Sequence, residues 1–390
     1  MNYVWAPLQK KLLPSVSEAF KAVQLAEAEQ PDPRPLLQTL ARLPEVDTRL
    51  LGLMQTRQLA VTGFPWEFVP SDPASDRAIE IAQAMTARFR TSGFHMHFNA
   101  LLNAIFYGHA ALECTWGNDD LGFRPIAITP IPITSLYWDG VKVLRIVDDP
   151  ARFRTEPLEP PEKYCIVTFN PLNGINTRHI GGLLRTALWL SLLKQFNWND
   201  WSHFNEVYGE PLRVAKWKPY TSEEDKKTAL NAVKEIGKRA YAAVSEDVLI
   251  EFIEATRNGS IEAYERLLKA ILDEQSILIL GQTLTTDVKD KGTFAAAKVH
   301  NTVRTDLMWS DLLMLENAVN SYYVPLDYKN NVGTDAALIP RFRFITDEAI
   351  DYESNARIIE TLRGAEVPLR RSEVYEKTGF SKPEEGDEVL

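Results

Sequence analysis

The sequence is poor in the residues that metal sites and many catalytic sites need in groups. Its 390 residues include two cysteines and six histidines. His95 and His97 are spaced to share a face, but no carboxylate or cysteine at ligand spacing completes a metal set. We expect both at the start of a helix, partly exposed. Cys114 and Cys165 lie in apolar, strand-like runs and are expected to be buried free thiols, which fits a reducing compartment.

Long apolar runs and a surplus of basic residues are also missing. The longest apolar runs are too short and too interrupted to cross a bilayer, and the N-terminus shows no signal-peptide pattern. The net charge of −10 argues against a surface that grips nucleic acid tightly through lysine and arginine. An acidic protein can still surround DNA without holding it. The hydrophobic fraction of 45% is typical of a folded soluble protein with a large core.

The common catalytic motifs are absent from the sequence. No Gly-x-Ser-x-Gly elbow occurs, and no cysteine–histidine pair has an orienting partner. Asp306, Asp311 and Glu316 are five residues apart, so they spread around a helix, and we expect a solvated or subunit-facing flank. The residue chemistry therefore predicts a structural or interaction protein with no catalytic residue, metal or cofactor.

Hydrophobic periodicity predicts helices in the first hundred residues and short strands after them. Helical spacing covers 36–60, 76–89 and 98–107, and Gly108 is placed to cap the last of these helices. Turn-punctuated, β-rich runs then predict a mostly antiparallel sheet covered by these helices, with a hairpin turn at Asp139-Gly140. The predicted strands are 111–116, 123–128, 135–138, 142–147 and 164–169.

The second half returns to helical periodicity. A helix is predicted at 181–209, followed by a strand at 211–217, a capped helix at 222–243 and a strand at 248–254. The first of these helices carries aromatic residues that could stack on bases, but in so apolar a helix we expect them to serve packing. These aromatic residues are Trp198, Trp201, Phe204 and Tyr208.

A small polar loop between Gly281 and Gly292 separates two long segments of helical periodicity. A phosphate-binding loop would need a lysine before its serine or threonine and a strand before the loop, and this segment has neither. Only two of its residues, Leu284 and Val288, are apolar. We therefore expect a flexible loop that is presented to a partner.

Several runs form an ordered set that resembles a known family. They are LMQTR at 53–57, AVTG at 60–63, LLNAIFYGHAALE at 101–113, FNEVYGEPLR at 204–213, ILGQTLT at 279–285, AAKVH at 296–300, and Asn320. Together they resemble the portal proteins of Mu-like tailed bacteriophages over about residues 40–350.

The resemblance implies an α+β, portal-like subunit with a mixed α/β wing, long stem helices and a small α/β clip. The implied parts are an N-terminal arm with a proline-rich linker (1–35), a wing of helices and antiparallel sheet (36–175), a stem helix (176–209), a clip (210–258), a stem helix, tunnel loop and long helix (259–323), a C-terminal wing or crown-side segment (324–380) and an acidic tail (381–390).

The resemblance also implies the function and the partners. Copies of the chain, usually twelve, form a ring at one capsid vertex. The ring conducts double-stranded DNA during packaging and ejection and joins head to tail. The implied location is the virion, with assembly in the host cytoplasm. The implied partners are other copies of itself, the terminase, capsid and scaffold proteins, a head–tail adaptor and double-stranded DNA as a sliding passenger, without a membrane.

The tunnel loop implied by the resemblance is 283–293, which would face the DNA channel. The residues implied to meet DNA are Thr283, Thr285, Thr286, Asp287, Lys289, Asp290, Lys291 and Thr293.

Other functions stay open at the level of the sequence. A tail or baseplate protein that never touches DNA would form a trimer or hexamer without a channel. An enzyme of phage morphogenesis, such as a nuclease or peptidase, would need a cleft with convergent carboxylates. A monomeric DNA-binding regulator is disfavoured by the net charge of −10.

Overall fold

The chain forms long helices and small antiparallel sheets in a computed structural model, which describes residues 13–147, 149, 152–170, 181–208, 212–235, 248–253, 258–283, 294–346, 352–365 and 367–378. The helices are α1 (Val16–Glu27), α2 (Arg34–Val46), α3 (Thr48–Thr62), α4 (Asp76–Ser92), α5 (Phe98–Tyr107), α6 (Gly182–Tyr208), α7 (Glu223–Glu235), α8 (Asn258–Leu280), α9 (Phe294–Ala318), α10 (Val324–Asn331), α11 (Tyr352–Gly364) and α12 (Arg371–Thr378). The strands are β1 (Trp66–Val69), β2 (His109–Asp119), β3 (Gly122–Pro130), β4 (Leu136–Trp138), β5 (Val143–Ile146), β6 (Thr155–Pro157), β7 (Tyr164–Thr168), β8 (Leu212–Trp217), β9 (Val248–Ile253) and β10 (Arg341–Phe344). The predicted α+β class is confirmed.

The strands predicted between 110 and 170 are present, but they form two sheets instead of one. One sheet has the order β3-β2-β7 and the other β4-β5-β6, all antiparallel. Pro130 and Pro132 separate the two sheets along the chain, and a proline cannot donate to a strand ladder. The hairpin turn is confirmed, since Asp139 accepts hydrogen bonds from the backbone N–H groups of Val141 and Lys142, both at 2.8 Å.

The helical periodicity over 36–60 belongs to two helices, so the single predicted helix was wrong. The chain changes direction at Asp47, whose backbone is extended and whose carboxylate accepts from the N–H of Leu50 at 3.1 Å. This is the geometry of an N-cap, which starts a new helix. The apolar spacing continues across the break because α2 and α3 each bury one face in the same core.

The N-terminal segment lies on the core over its described residues. Helix α1 buries Ala19, Ala22 and Ala26, and it packs against α2. The proline-rich stretch folds back, since the N–H of Asp32 donates to the carbonyl of Leu25 at 2.9 Å. Small alanine side chains allow this close helix packing.

An aromatic cluster joins the early helices to the end of the chain. Phe94 is at its centre, with ring centroids 4.9 Å from Phe89, 5.2 Å from Phe98, 5.6 Å from Tyr323 and 5.8 Å from Phe342. All four pairs are edge-to-face, an arrangement that adds about 0.5–1.5 kcal/mol per pair to simple burial. Helices α4 and α5 are thus fixed to β10 and to the turn after α9.

A π-helical turn, Val319–Tyr323, interrupts the helix between α9 and α10. Pro325 is the second residue after the turn and has no N–H, so it removes one α-helical hydrogen bond at this point. The turn directs Asn320 at β10. The Asn320 side chain accepts a hydrogen bond from the N–H of Phe342 at 2.8 Å and donates one to the carbonyl of Phe342 at 2.9 Å. The edge of β10 away from β1 is thereby hydrogen-bonded.

The strand–helix–strand unit predicted around 211–254 is also present. Strand β8 pairs antiparallel with β9, and α7 begins at a Ser222 cap that accepts from the N–H of Asp225 at 3.1 Å. Residues 236–247 lie outside the described residues, as do the predicted tail 381–390 and the segment 347–351 before α11.

Helix α6 starts at a very close contact with the end of α5. The N–H of Gly181 donates to the carbonyl of Tyr107 at 3.1 Å. A Cβ atom on Gly182 would lie 2.6 Å from the backbone nitrogen of Gly108 and from the carbonyl oxygen of Ile105, and the φ of Gly182 is +49°. Only glycine fits this contact without moving backbone.

Gly182→Ala is expected to lower the free energy of unfolding by about 1–3 kcal/mol, because the added methyl group meets backbone atoms that cannot rotate away. The midpoint of urea unfolding measures it. Gly52→Ala is the matched control, since Gly52 lies inside α3 with nothing near its Cβ direction. The control should stabilise by about 0.5–1 kcal/mol. If Gly182→Ala and Gly52→Ala changed the free energy of unfolding equally, the close contact between Gly182 and the end of α5 would be contradicted.

Candidate functional site

The structure places the base of the predicted tunnel loop. Helix α8 ends at Leu280, and the N–H of Gly281 donates to the carbonyl of Ile277 at 2.9 Å. Gln282 is only 3% exposed, and Thr283 is half-buried. The other predicted site residues lie outside the described residues: Thr285, Thr286, Asp287, Lys289, Asp290, Lys291 and Thr293.

Arg57 of α3 connects the two helices that flank the loop. Its Nε and Nη2 atoms donate to the two carboxylate oxygens of Asp311 in α9, at 2.8 and 2.9 Å. Its Nη1 donates at 2.9 Å to the carbonyl of Ile279, in the last turn of α8. A cation at a helix C-terminus also complements the partial negative charge there. One guanidinium therefore fixes the end of α8 to α9.

The predicted solvated flank on α9 was wrong at Asp311. This carboxylate is 2% exposed and accepts the paired hydrogen bonds from Arg57. Glu316 also has a structural partner, since it accepts from the N–H of Phe344 at 2.9 Å. Only Asp306 is exposed as expected. The sequence does contain a signal for this burial. Arg57 is a charged residue within an apolar stripe at helical spacing, and a buried arginine needs an acidic partner.

The position of Asp311 sets how far α9 extends past the end of α8. Seventeen residues of α9 precede it, from Phe294 onward, and they span about 25 Å at the rise of an α-helix. The first part of α9 therefore extends about 25 Å beyond its contact with Arg57.

Helix α3 is the common support of both flanking helices. Helix α8 packs on α3 and α6, whereas α9 packs on α3, α5, β7 and β10. A second contact between α3 and α8 joins Arg49 to Ser276, at 2.8 Å. The base of the loop is thus set by three helices from distant parts of the sequence.

Asp47, at the start of α3, holds a buried polar network. Its carboxylate accepts from Ser191 and Lys194 of α6 and from Gln275 of α8, each at 2.7 Å. Burial alone would raise the pKa of Asp47, but the charge of Lys194 and these hydrogen bonds together lower it. The ionised carboxylate is therefore the form that joins α3, α6 and α8.

The aromatic residues of α6 pack against α8, as predicted. Trp198 stacks on Trp201 with centroids 5.4 Å apart, and Trp201 stacks on Tyr264 of α8 at 6.3 Å. Phe204 completes the group at 5.9 Å from Tyr264. Trp198 also borders a cavity of about 320 Å³ next to Asp47 and Lys194. The side chain of Tyr208 lies outside the described residues.

The two cysteines and the histidines before α5 lie where the sequence predicts them. Cys114 and Cys165 are buried free thiols, and the Sγ of Cys114 is 3.3 Å from the hydroxyl of Tyr323. His95 is exposed and His97 half-buried in a 3₁₀ turn just before α5, as expected. Burial, and then the neighbouring His95, lower the pKa of His97.

Among the residues that the structure describes, no group of three or more histidine, cysteine, aspartate or glutamate side chains could hold a metal ion. Within the described ranges, no helix has the length and apolar character to span a bilayer. What the structure does show is a firmly held junction of α3, α8 and α9 next to Gly281.

Arg57→Ala is expected to lower the free energy of unfolding by about 3–5 kcal/mol, because it leaves the Asp311 carboxylate buried without its partner. Arg57→Lys should have a free energy of unfolding between those of wild type and Arg57→Ala, because one ammonium cannot make the paired bonds to Asp311 and also reach Ile279. Chemical unfolding measures both.

Arg266→Ala, on an exposed ion pair of α8 with Glu262, is the control for Arg57 and should cost less than about 0.5 kcal/mol. If Arg57→Ala matched this control, the proposed connection between α8 and α9 would be wrong.

Stability should depend on pH through Asp47. Because the folded pKa is lowered, the carboxylate contributes fully above its unfolded pKa of about 3.9. That contribution is lost as pH falls through the folded pKa. Asp47→Asn should therefore be less stable than wild type at pH 7, with a difference that narrows below about pH 4. A difference that stays constant into acid would contradict an ionised Asp47. Thermal unfolding as a function of pH measures it.

Comparisons with known proteins bear on the identity of the chain. The family model described as the portal protein of Mu bacteriophage matches residues 38–380. The portal protein of Escherichia phage Mu is 27% identical over 377 residues, which cover 95% of this chain and 72% of that protein. Mu-like prophage FluMu protein gp29 of Haemophilus influenzae is 26% identical over 385 residues, covering 94% of this chain and 71% of that protein.

Solved structures show the same fold. A chain from the virion of a native gene transfer agent particle matches with a TM-score of 0.61 at 12% identity, covering 95% of this chain and 100% of that one. A chain from the neck of the native particle, computed with C12 symmetry, matches with a TM-score of 0.55 at 13% identity over the same shares. Because the family model spans most of the sequence, and two relatives align along nearly all of it, the chain belongs to the portal-protein family of Mu-like bacteriophages.

Proposed function

We propose that copies of this chain form a closed ring at one vertex of a phage capsid and that double-stranded DNA passes through the ring during packaging and ejection. Family membership supports this function. The fold likeness to a chain from a neck computed with C12 symmetry supports a ring of twelve. The ring would also join the head to the tail.

The observation that carries the proposal is the firm base beneath the loop. Arg57 fixes the end of α8 to Asp311 in the last third of α9, so the two helices that flank the loop are held together at one defined point. A loop that meets moving DNA needs a rigid support, because force on its tip must not shift the ring. We assign the channel-facing position to 283–293, with Thr283, Thr285, Thr286, Asp287, Lys289, Asp290, Lys291 and Thr293 as its DNA-facing residues.

The net charge of the chain favours double-stranded DNA that slides through the ring over DNA that is bound tightly. A net charge of −10 repels the duplex overall. In the loop, Asp287 and Asp290 offset Lys289 and Lys291, so phosphate contacts would release few counterions and stay weak. DNA could therefore slide past without being trapped.

Family membership favours a ring over a tail or baseplate protein that never touches DNA. We further propose the wing at 36–175, a stem helix at 176–209, the clip at 210–258 and a C-terminal wing or crown-side segment at 324–380. The partners in this proposal are the terminase, capsid and scaffold proteins and a head–tail adaptor. Assembly would take place in the host cytoplasm, and the ring would remain in the virion.

Replacing 287–291 by a Gly/Ser linker of equal length tests the loop. In a phage complementation assay we expect normal numbers of particles but at least a tenfold lower fraction of DNA-filled heads, counted by electron microscopy. Unchanged packaging and retention of DNA would overturn the assignment of the loop to the channel.

The charge of the loop can be tested separately. Asp287→Lys with Asp290→Lys should raise the affinity of the purified ring for duplex DNA in a salt-dependent way, because the loop would then carry four lysines. Asp120→Lys with Asp200→Lys changes the net charge equally at exposed positions outside the loop and is the control. Equal DNA binding by the two double variants would contradict a channel-facing loop.

A further inference from the structure

A pocket of about 340 Å³ opens where the end of α3, the start of β1 and the end of α4 meet. Trp66, the first residue of β1, lines it. The end of α3 contributes Thr62 and Gly63, α4 contributes Arg90, and the turn before α5 contributes His95. We name this the Trp66 pocket. It shares no residue with the contacts of Arg57 or Asp47 described above.

Trp66 is held in one orientation from inside the protein. Its ring centroid lies 5.1 Å from that of Phe94 and 5.8 Å from that of Phe342, both members of the aromatic cluster. Pairing of β1 with β10 fixes its backbone. The indole is nevertheless partly exposed and lines the pocket. A rigid tryptophan of this kind loses little conformational entropy when a partner covers it.

Two nitrogen-bearing side chains lie beside the indole. The Cζ of Arg90 is 5.9 Å from the centroid of the Trp66 ring, and the imidazole centroid of His95 is 6.0 Å from it. Both side chains are exposed. Within the described ranges, the guanidinium of Arg90 makes no hydrogen bond or ion pair, so its N–H donors are available. No carboxylate lines the pocket in the part of the chain that the structure describes.

The last turn of α4 explains a basic residue at Arg90 only in part. A cation there stabilises the end of the helix, but that effect needs neither an aromatic neighbour nor a pocket. Arginine and tryptophan are the residues most enriched among those that dominate the binding energy of protein contacts. Met96, next to His95, is 76% exposed and adds an adaptable apolar side chain. The combination is typical of a site that binds another protein.

The chemistry of the pocket favours an acidic peptide over a nucleic acid. A guanidinium forms paired hydrogen bonds with a carboxylate or with a phosphate, so Arg90 alone accepts both ligands. The last C=O groups of a helix lack helical partners, and α3 ends here at Thr62. Such acceptors suit the N–H groups of a peptide and repel phosphate oxygens. The net charge of −10 also opposes nucleic acid.

We propose that the Trp66 pocket binds a short acidic segment of a partner protein. A carboxylate of the segment pairs with Arg90, and an aromatic or large aliphatic side chain next to it packs on Trp66. Main-chain N–H groups of the segment donate to the end of α3. The volume of about 340 Å³ is within the usual range of ligand sites, about 300–1,000 Å³. This inference goes beyond the passage of DNA and depends on neither the loop nor the ring.

Selection from a library of short random peptides tests the pocket, with the full-length wild-type protein as bait and Arg90→Gln for counter-selection. We expect the enriched peptides to carry an aspartate or glutamate next to an aromatic or large aliphatic residue. Fluorescence anisotropy then measures the affinity of a labelled enriched peptide. That affinity should fall about tenfold or more in Arg90→Gln, because the paired bonds to a carboxylate are lost. Replacing the acidic residues of the peptide by glutamine should have the same effect.

Arg77→Gln is the matched control, since Arg77 lies on the same helix, is exposed and pairs with Glu80. It should bind the peptide as wild type does. Arg90→Lys should keep part of the affinity, because it retains the charge but cannot make the paired bonds. Arg90→Glu should lose the acidic peptide and bind a version with lysine in place of the acidic residues. A misfolded variant could not gain that binding.

Crosslinking locates the peptide directly. A photo-reactive phenylalanine in the enriched peptide should form crosslinks to residues within 62–66 or 90–98, identified by mass spectrometry. Crosslinks confined to other parts of the chain would overturn the proposal, as would a selection in which no acidic peptide depends on Arg90.

Two further results would assign the pocket to a different occupant and so overturn the acidic segment. The first is labelled single-stranded DNA that binds wild type but not Arg90→Gln, while no acidic peptide binds. The second is a lower mass of Arg90→Gln than of wild type by light scattering without peptide, which would make the pocket a contact between copies of the chain. Neither result would bear on the passage of DNA through the ring.

Discussion

The rest of the structure around the loop depends on one buried guanidinium. Arg57 bonds the carboxylate of Asp311 and the carbonyl of Ile279 at once, so it sets the relation between the two helices that flank the loop. Apolar packing alone is non-directional and would tolerate a shift of α9 along α3. The planar fork of arginine accepts only one relative position. The pair is also buried, so neither partner can be lost without leaving a costly unpaired charge.

Buried, directional polar contacts also hold the chain together at other points where distant parts of the sequence meet. Asp47 joins α3 to α6 and α8, and Arg88 of α4 makes a buried ion pair with Asp327 of α10, with one contact at 2.7 Å. Asn320 replaces a neighbouring strand for β10. The apolar core supplies the driving force for folding, whereas these few directional contacts define the register between helices. A subunit that transmits force within a ring needs both.

Rigidity at the base and weak charge in the loop serve the proposed function together. A loop on a yielding base would move with the DNA, and a strongly basic loop would hold the DNA.

The sequence by itself determined the elements whose causes are local. Periodicity identified most helices and strands, Asp139-Gly140 identified the hairpin turn, and apolar surroundings identified Cys114 and Cys165 as buried thiols. The ordered motifs identified the family. The N-cap at Asp47 and the prolines between the two sheets are local causes that hydrophobic periodicity does not register, whereas tertiary structure alone decided the burial of Asp311. The reason is physical: Arg57 and Asp311 are 254 residues apart, so no local pattern shows that a carboxylate on a helix flank will meet a guanidinium instead of water.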